Sequence, residues 1–167
     1  MPVPSNSGTD DIIPVPNVVP VEQMKGEDDE DTAFLREMLE EATNYIRSFS
    51  WCDSVVGSYF AGGVGKIFAI FLFKISSRRS DVDLWEWIFV GDVPPAYLPL
   101  EDAGSRMQAF EAYLEGMKRW VALAREGREP EPEDCCPPVN VPATPEWAEA
   151  LDGRLRTLTE LVRPYFE

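Results

Sequence analysis

Histidine is absent from the 167 residues of this chain, and that one absence removes several chemistries at once. No Ser-His-Asp or Cys-His catalytic arrangement can form, no zinc can be held through imidazole, and no imidazole can switch charge near neutral pH. Cysteine is scarce as well. Cys52 and the adjacent Cys135 and Cys136 are three thiols without a C-x-x-C spacing, which excludes a disulfide framework and a zinc knuckle. Cys135 and Cys136 read as reduced thiols in a Pro-rich loop, with a strained vicinal bridge as the redox alternative. Positive charge is in deficit: 15 Lys and Arg stand against 30 Asp and Glu, a formal charge of −15. Such a surface repels phosphate backbones and anionic membranes, so neither direct nucleic-acid binding nor membrane binding is expected. Long apolar runs are missing too. The longest, residues 67–73, has seven residues, far short of a bilayer span. The first residues, MPVPSNSG, lack the basic stretch and apolar core of a signal peptide. A cytoplasmic protein is the expectation.

What is present can build a core. The chain is 44% apolar and 11% aromatic, too much for wholesale disorder and about right for one domain with a tail. The tail is residues 1–31, an acidic Pro-rich arm with five of the 15 prolines and a charge of −7, leaving −8 on residues 32–167. Prolines alternating with Val and Ile (Pro14, Val15, Pro16, Val18, Val19, Pro20, Val21) suit an extended conformation and forbid a helix. The arm is expected to be flexible, or to dock as an apolar strap on its own domain or on a second copy.

Residues 32–167 read as a single α+β domain. A first helix is expected over residues 32–49, where Phe34, Leu35, Met38, Leu39, Ala42, Tyr45, Ile46 and Phe49 recur on one helical face. From residue 53 to 100 the pattern turns to strands. Val55, Val56, Tyr59 and Phe60 are β-formers, and Gly62-Gly63 marks a turn. KIFAIFLFKI, residues 66–75, is apolar on both alternating faces, as a central strand covered on both sides would be. A polar loop and a third strand over residues 82–90 follow, and Tyr97-Leu98 adds a short edge strand, the only place Pro99 would fit. Short connections make these strands antiparallel. A second helix spans residues 103–126, with Asp102 as N-cap and Gly127 past its end; a third opens at Thr144-Pro145 and stops by Pro164. The expected architecture is an antiparallel sheet of three to four strands packed by three helices, with the extended arm in front.

Two motifs invite a catalytic reading. Gly62-Gly63-Val64-Gly65-Lys66 resembles the phosphate loop of the MinD and ParA-type ATPases, whose glycine amides cradle phosphate. Here Ile67 takes the hydroxyl position, Ala61 takes that of the signature lysine, and a strand follows where a helix must open. The glycines are therefore read as a β-turn. Ser80-Asp81-Val82-Asp83-Leu84 is similar to the metal-binding strand of nucleotidyltransferases, where two carboxylates on one strand face hold the metals of phosphoryl transfer. The Gly-Ser turn that family places just before this strand is missing, as is a third carboxylate on a later strand. A metal-dependent nucleotide enzyme using Asp81 and Asp83 is the alternative reading.

The aromatics give the preferred candidates. Trp85 and Trp87 share a strand face and can floor an apolar pocket or be buried beneath a helix. VGDVPPAYL, residues 90–98, is a rigid turn beside a sheet, and such loops position recognition residues. Asp92, Pro94, Pro95 and Tyr97 join Trp85 and Trp87 as the candidate binding site.

The runs FAIFLFKI, LWEWIFVGDVPPAYL, EAYLEGMKRWV and PVNVPATPEWAEALDGRLRTL resemble a family of small uncharacterised bacterial proteins with a VGDLPPAY … PVNVPPT pattern. The resemblance implies a bacterial protein and carries over no catalytic residue and no cofactor. The resulting expectation is a non-enzymatic interaction protein, single or homodimeric. Its acidic surface suits a basic protein partner, as immunity proteins bind toxins, through a fully packed sheet without a pocket and with salt-sensitive affinity. An acidic mimic of DNA is a further variant of that reading.

Overall fold

The computed structural model of the protein describes residues 12–167, and what the sequence implies for residues 1–11 lies outside the described residues. The chain forms β1 (Val19–Pro20), α1 (Asp29–Arg47), β2 (Ser54–Val64), β3 (Phe68–Ser76), β4 (Trp85–Gly91), β5 (Ala96–Pro99), α2 (Arg106–Arg125) and α3 (Pro145–Thr157). The strands pair antiparallel in the order β1-β2-β3-β4-β5. Five strands stand where three to four were expected. The extra one comes from the arm, whose proline-held extended backbone sets Val19 opposite Phe60 and Pro20 opposite Tyr59. Pro20 and Pro99 both lie on edge strands, where a missing N–H breaks no ladder.

Strand β3 lies at the centre. Every residue from 68 to 73 is fully buried, because the even and odd side chains meet different helical layers. Phe68, Ile70 and Leu72, with Trp87 and Phe89, face α2, α3 and the C-terminal turns through Phe110, Tyr113, Trp120, Leu151 and Phe166. Ala69, Phe71, Phe73 and Ile75, with Ile88 and Val90, face α1 through Leu35, Met38, Ala42 and Ile46. The order is helix, sheet, helix pair. Burying each of these large side chains contributes about 2–3 kcal/mol, so the three-layer stack dominates folding.

Ile12 is exposed, but from Ile13 onward the arm packs against the domain. Val15 and Val18 join the core beneath α2 and α3, and Met24 joins that beneath α1. The Arg106 guanidinium ties the arm down, donating to the carbonyls of Asn17 (3.3 Å), Ala61 (2.9 Å) and Glu167 (3.0 Å).

Several element ends differ from expectation for local reasons. Helix α1 starts at Asp29, because Asp28 caps it by accepting from the Asp31 N–H at 2.8 Å, with three acids on the favourable end of the dipole. Helix α2 is capped by Ser105 rather than Asp102, which belongs to a 3-10 turn at Leu100–Asp102. Strand β4 begins only at Trp85, since Asp83 Oδ1 accepts from the Trp85 N–H at 2.9 Å and holds the preceding residues in a turn. Helix α3 ends at Thr157, short of Pro164 as expected, but the chain past it stays coiled. It widens into a π-helical turn over Leu158–Val162 and closes with a 3-10 turn over Arg163–Phe166, which buries Phe166.

Gly62 and Gly63 are not the turn. They lie within β2, beside a register shift between Phe60 and Gly62, and the chain reverses over residues 64–67 with Lys66 at φ 72°. Gly91, at the end of β4, has φ 146°, and a Cβ there would sit 2.3 Å from the Ile67 carbonyl oxygen. Gly91→Ala is therefore expected to cost about 2 kcal/mol or more in denaturant unfolding. Gly153, on the exposed face of α3 with nothing within 4 Å of a built Cβ, is the contrast. Gly153→Ala is expected to stabilise by roughly 0.5–1 kcal/mol.

Candidate functional site

With both sheet faces covered, a broad concavity opens at one end of the sheet rather than on it. It is a cleft of about 750 Å3 where all three helices and two loops converge. One wall is the β4–β5 loop, Gly91 to Pro95, beside Tyr45 and Phe49 at the end of α1. The other is the α2–α3 loop, Pro138 to Val141, with Trp147 and Leu151 of α3; Trp120 of α2 also lines the cleft. The sheet itself is fully packed, as expected, and the concavity lies beyond its end. Three layers of unequal length leave a notch where two loops, not side chains, must close the end.

Both walls are set in advance. Pro94 and Pro95 fix their own backbones, the Pro94 carbonyl accepts from the Tyr113 hydroxyl at 2.6 Å, and the Asp92 N–H donates to the Ile67 carbonyl at 3.0 Å. Opposite, the Arg119 guanidinium donates to the Cys135 carbonyl at 3.1 Å, and Glu129 accepts from the Ala143 N–H at 2.8 Å. A cavity lined by proline, aromatic and branched side chains on fixed backbone binds without first paying for its own ordering.

The cleft's polar groups are few. Asp92 and Arg154, its only charged lining residues, pair at 3.2 Å on the exposed rim. The Tyr45 hydroxyl is enclosed without a hydrogen-bond partner among the described residues. Burial, with Tyr97 nearby, pushes that phenol up to about 12, so it stays a donor at neutral pH. These groups can orient a ligand.

The sequence-derived residues are distributed unequally. Asp92, Pro94 and Pro95 line the cleft. Tyr97 lies just behind it, its ring 5.0 Å from those of both Phe49 and Trp51. Trp87 is fully enclosed, its indole N–H donating to the Ala103 carbonyl at 2.8 Å, so it offers no surface to a ligand. Trp85 is half-buried beside Tyr59, with the Lys74 ammonium over its ring at 5.6 Å, away from the cleft. Sequence reasoning missed Tyr45, Phe49, Trp120, Trp147, Leu151 and Arg154. Trp147 has the helical spacing of a core residue of α3, yet it is 45% exposed at the cleft. The usable signal was the pair of proline-rich loops flanking Trp-bearing helices.

The two catalytic motifs are built otherwise. The Gly65 N–H donates to Asp31 Oδ1 at 2.7 Å, and the Lys66 ammonium rests 4.1 Å over the Phe34 ring. The glycine-rich segment thus holds a carboxylate of its own chain, and strand β3 follows it. Asp81 forks onto Arg79, which holds its carboxyl below the usual range, and Asp83 Oδ2 accepts from the Glu101 N–H at 3.2 Å. Among the described residues no group of three His, Cys, Asp or Glu is placed to hold a metal ion. Cys52, Cys135 and Cys136 are free thiols, and burial pushes those of Cys52 and Cys136 up.

One carboxyl stands apart. Glu86, opposite Phe73 and Pro99 in the sheet, is 2% exposed, and its Oε1 has no hydrogen-bond partner among the described residues. Burial first, then the nearby Asp83, Asp102 and Glu101, push it up to about 8. Tyr97, Trp51, Val82 and the Arg79–Asp81 pair also face its recess. The folded state thus keeps a proton that the unfolded chain sheds near the usual carboxylate value. Stability conferred by neutral Glu86 is complete in acid and is lost as pH rises from about 4.5 to about 8. Glu86→Gln is expected to leave the melting temperature nearly unchanged at the acid end and to raise it at the alkaline end, flattening the difference profile. A parallel shift at every pH would sink that assignment. No protein-family model, no curated protein and no solved structure matches the chain, so the reading of its site rests on its own geometry.

Proposed function

We propose that the protein is a non-enzymatic binding module, and that its cleft receives an apolar segment of a basic protein partner. The observation that carries this reading is the preformed cleft, apolar inside and bounded by proline-fixed loops, with an exposed tryptophan at its mouth. Large exposed aromatics beside a desolvated pocket are where binding energy concentrates. The charge of −15 supports the partner's sign, because a field of one sign steers an oppositely charged protein and repels anionic ones. The VGDVPPAY and PVNVPAT segments that carry the family resemblance supply the two walls, which agrees with a binding role for both. Asp92 and Arg154 at the rim and the Tyr45 hydroxyl within supply direction rather than chemistry.

The test is fluorescence anisotropy with labelled peptides that combine one leucine or aromatic anchor with flanking lysines. Saturable binding is expected, weakening as salt rises from about 0.05 to 0.5 M. Trp147→Ala is expected to weaken it by roughly 30-fold, the scale of a central aromatic anchor. Binding that ignores both the salt and the Trp147 substitution, or no binding across the panel, overturns the reading.

A further inference from the structure

The aromatic wall behind the cleft has a second side. The Phe49 ring, which lines the cleft, stacks on Trp51 at 5.2 Å, and Tyr97 contacts both. Trp51 and Tyr97 in turn line a separate recess of about 270 Å3, at whose inner end sits Glu86. Asp83 and the Arg79–Asp81 pair border it. The recess is therefore an open depression bordered by two aromatic side chains, with a buried carboxyl oxygen that has no hydrogen-bond partner among the described residues.

An unpaired buried carboxyl is costly, and a hydrophobic side chain of similar size would pack the site better. Aromatic rings and a carboxylate are surroundings that attract an alkyl cation: the rings act through their quadrupoles, the carboxylate through charge and hydrogen bonding. The acids bordering the recess add attraction of the same sign. Arg79 does not fill this role, because its guanidinium is committed to Asp81 in an exposed, forked pair.

We propose that this recess is a receptor for the cationic end of a lysine or arginine side chain presented by the partner, with Glu86 as its counter-ion. The inference rests on the binding-module reading. One partner segment would set its apolar anchor in the cleft and its cation in the recess, on opposite sides of the Phe49–Trp51–Tyr97 wall. Cation entry also moves a proton. Glu86 arrives protonated at neutral pH, so pairing releases its proton to solvent and leaves the carboxylate facing the ammonium or guanidinium.

The experiment is an NMR titration of the full chain with N-acetyl-lysine methylamide and N-acetyl-arginine methylamide, following the Trp51 indole N–H and the Glu86 carboxyl carbon. Expected are saturable shifts of both signals and affinity that rises several-fold between about pH 6 and pH 8. Glu86→Gln is expected to lose about tenfold or more in affinity along with the pH dependence. Trp51→Leu, which removes one ring bordering the recess while leaving Glu86 in place, is expected to weaken binding severalfold. Trp147→Ala should not alter it. Unshifted Trp51 and Glu86 signals, or Glu86→Gln binding as wild type does, overturns the proposal while leaving cleft binding of the peptides to stand or fall separately. Putrescine binding more tightly than a lysine peptide overturns the partner-borne source of the cation.

Discussion

Everything in this fold leans on strand β3 being buried on both faces. Its side chains alternate between two helical layers, so Phe68, Ile70 and Leu72 hold α2 and α3 while Phe71, Phe73 and Ile75 hold α1. A strand in the middle of a three-layer stack cannot shift register by one residue without exchanging its two sets of partners. That constraint positions the neighbouring strands, and through them the loops at the sheet's end. Gly63 and Gly91 exist on those terms: the backbones of residues 67–69 pass so close that no Cβ fits.

A sheet sealed on both sides has no face left for recognition, so the concave surfaces collect at its margins. The cleft sits where the β4–β5 and α2–α3 loops close the end, and the Glu86 recess sits beside the outer strand β5. The aromatic group of Tyr45, Phe49, Trp51 and Tyr97 runs between them and gives each a wall. The two concave surfaces are thereby placed side by side on a molecule with a formal charge of −15.

Much of the architecture was legible because it is written in short-range patterns. The double-sided apolar run of β3, the helical periodicities and the Thr144-Pro145 start signal identify their elements without tertiary help. The β-turn reading of the glycine-rich segment set aside a phosphate loop, although the reversal falls at residues 64–67 rather than at Gly62-Gly63. Helix starts slipped by a few residues, because several capping side chains compete and packing chooses among Asp28, Asp102 and Ser105. Of the candidate site, the rigid loop with Asp92, Pro94 and Pro95 could be read from its prolines. The wall it faces could not, since Trp120, Trp147 and Leu151 carry the same helical spacing as core residues.

Composition and local pattern by themselves determined the acidity, the absence of imidazole chemistry, the α+β class and the identity of the central strand, because each depends only on residue type and on periods of two or 3.6. Tertiary structure alone decided that Trp87 is enclosed and Trp147 exposed, that the arm from residue 13 lies on the domain, and that Glu86 is buried beside two aromatic rings. Periodicity tells which face a side chain takes. Whether another layer reaches far enough to cover that face depends on element lengths and crossings set by contacts between distant residues, which no local window contains.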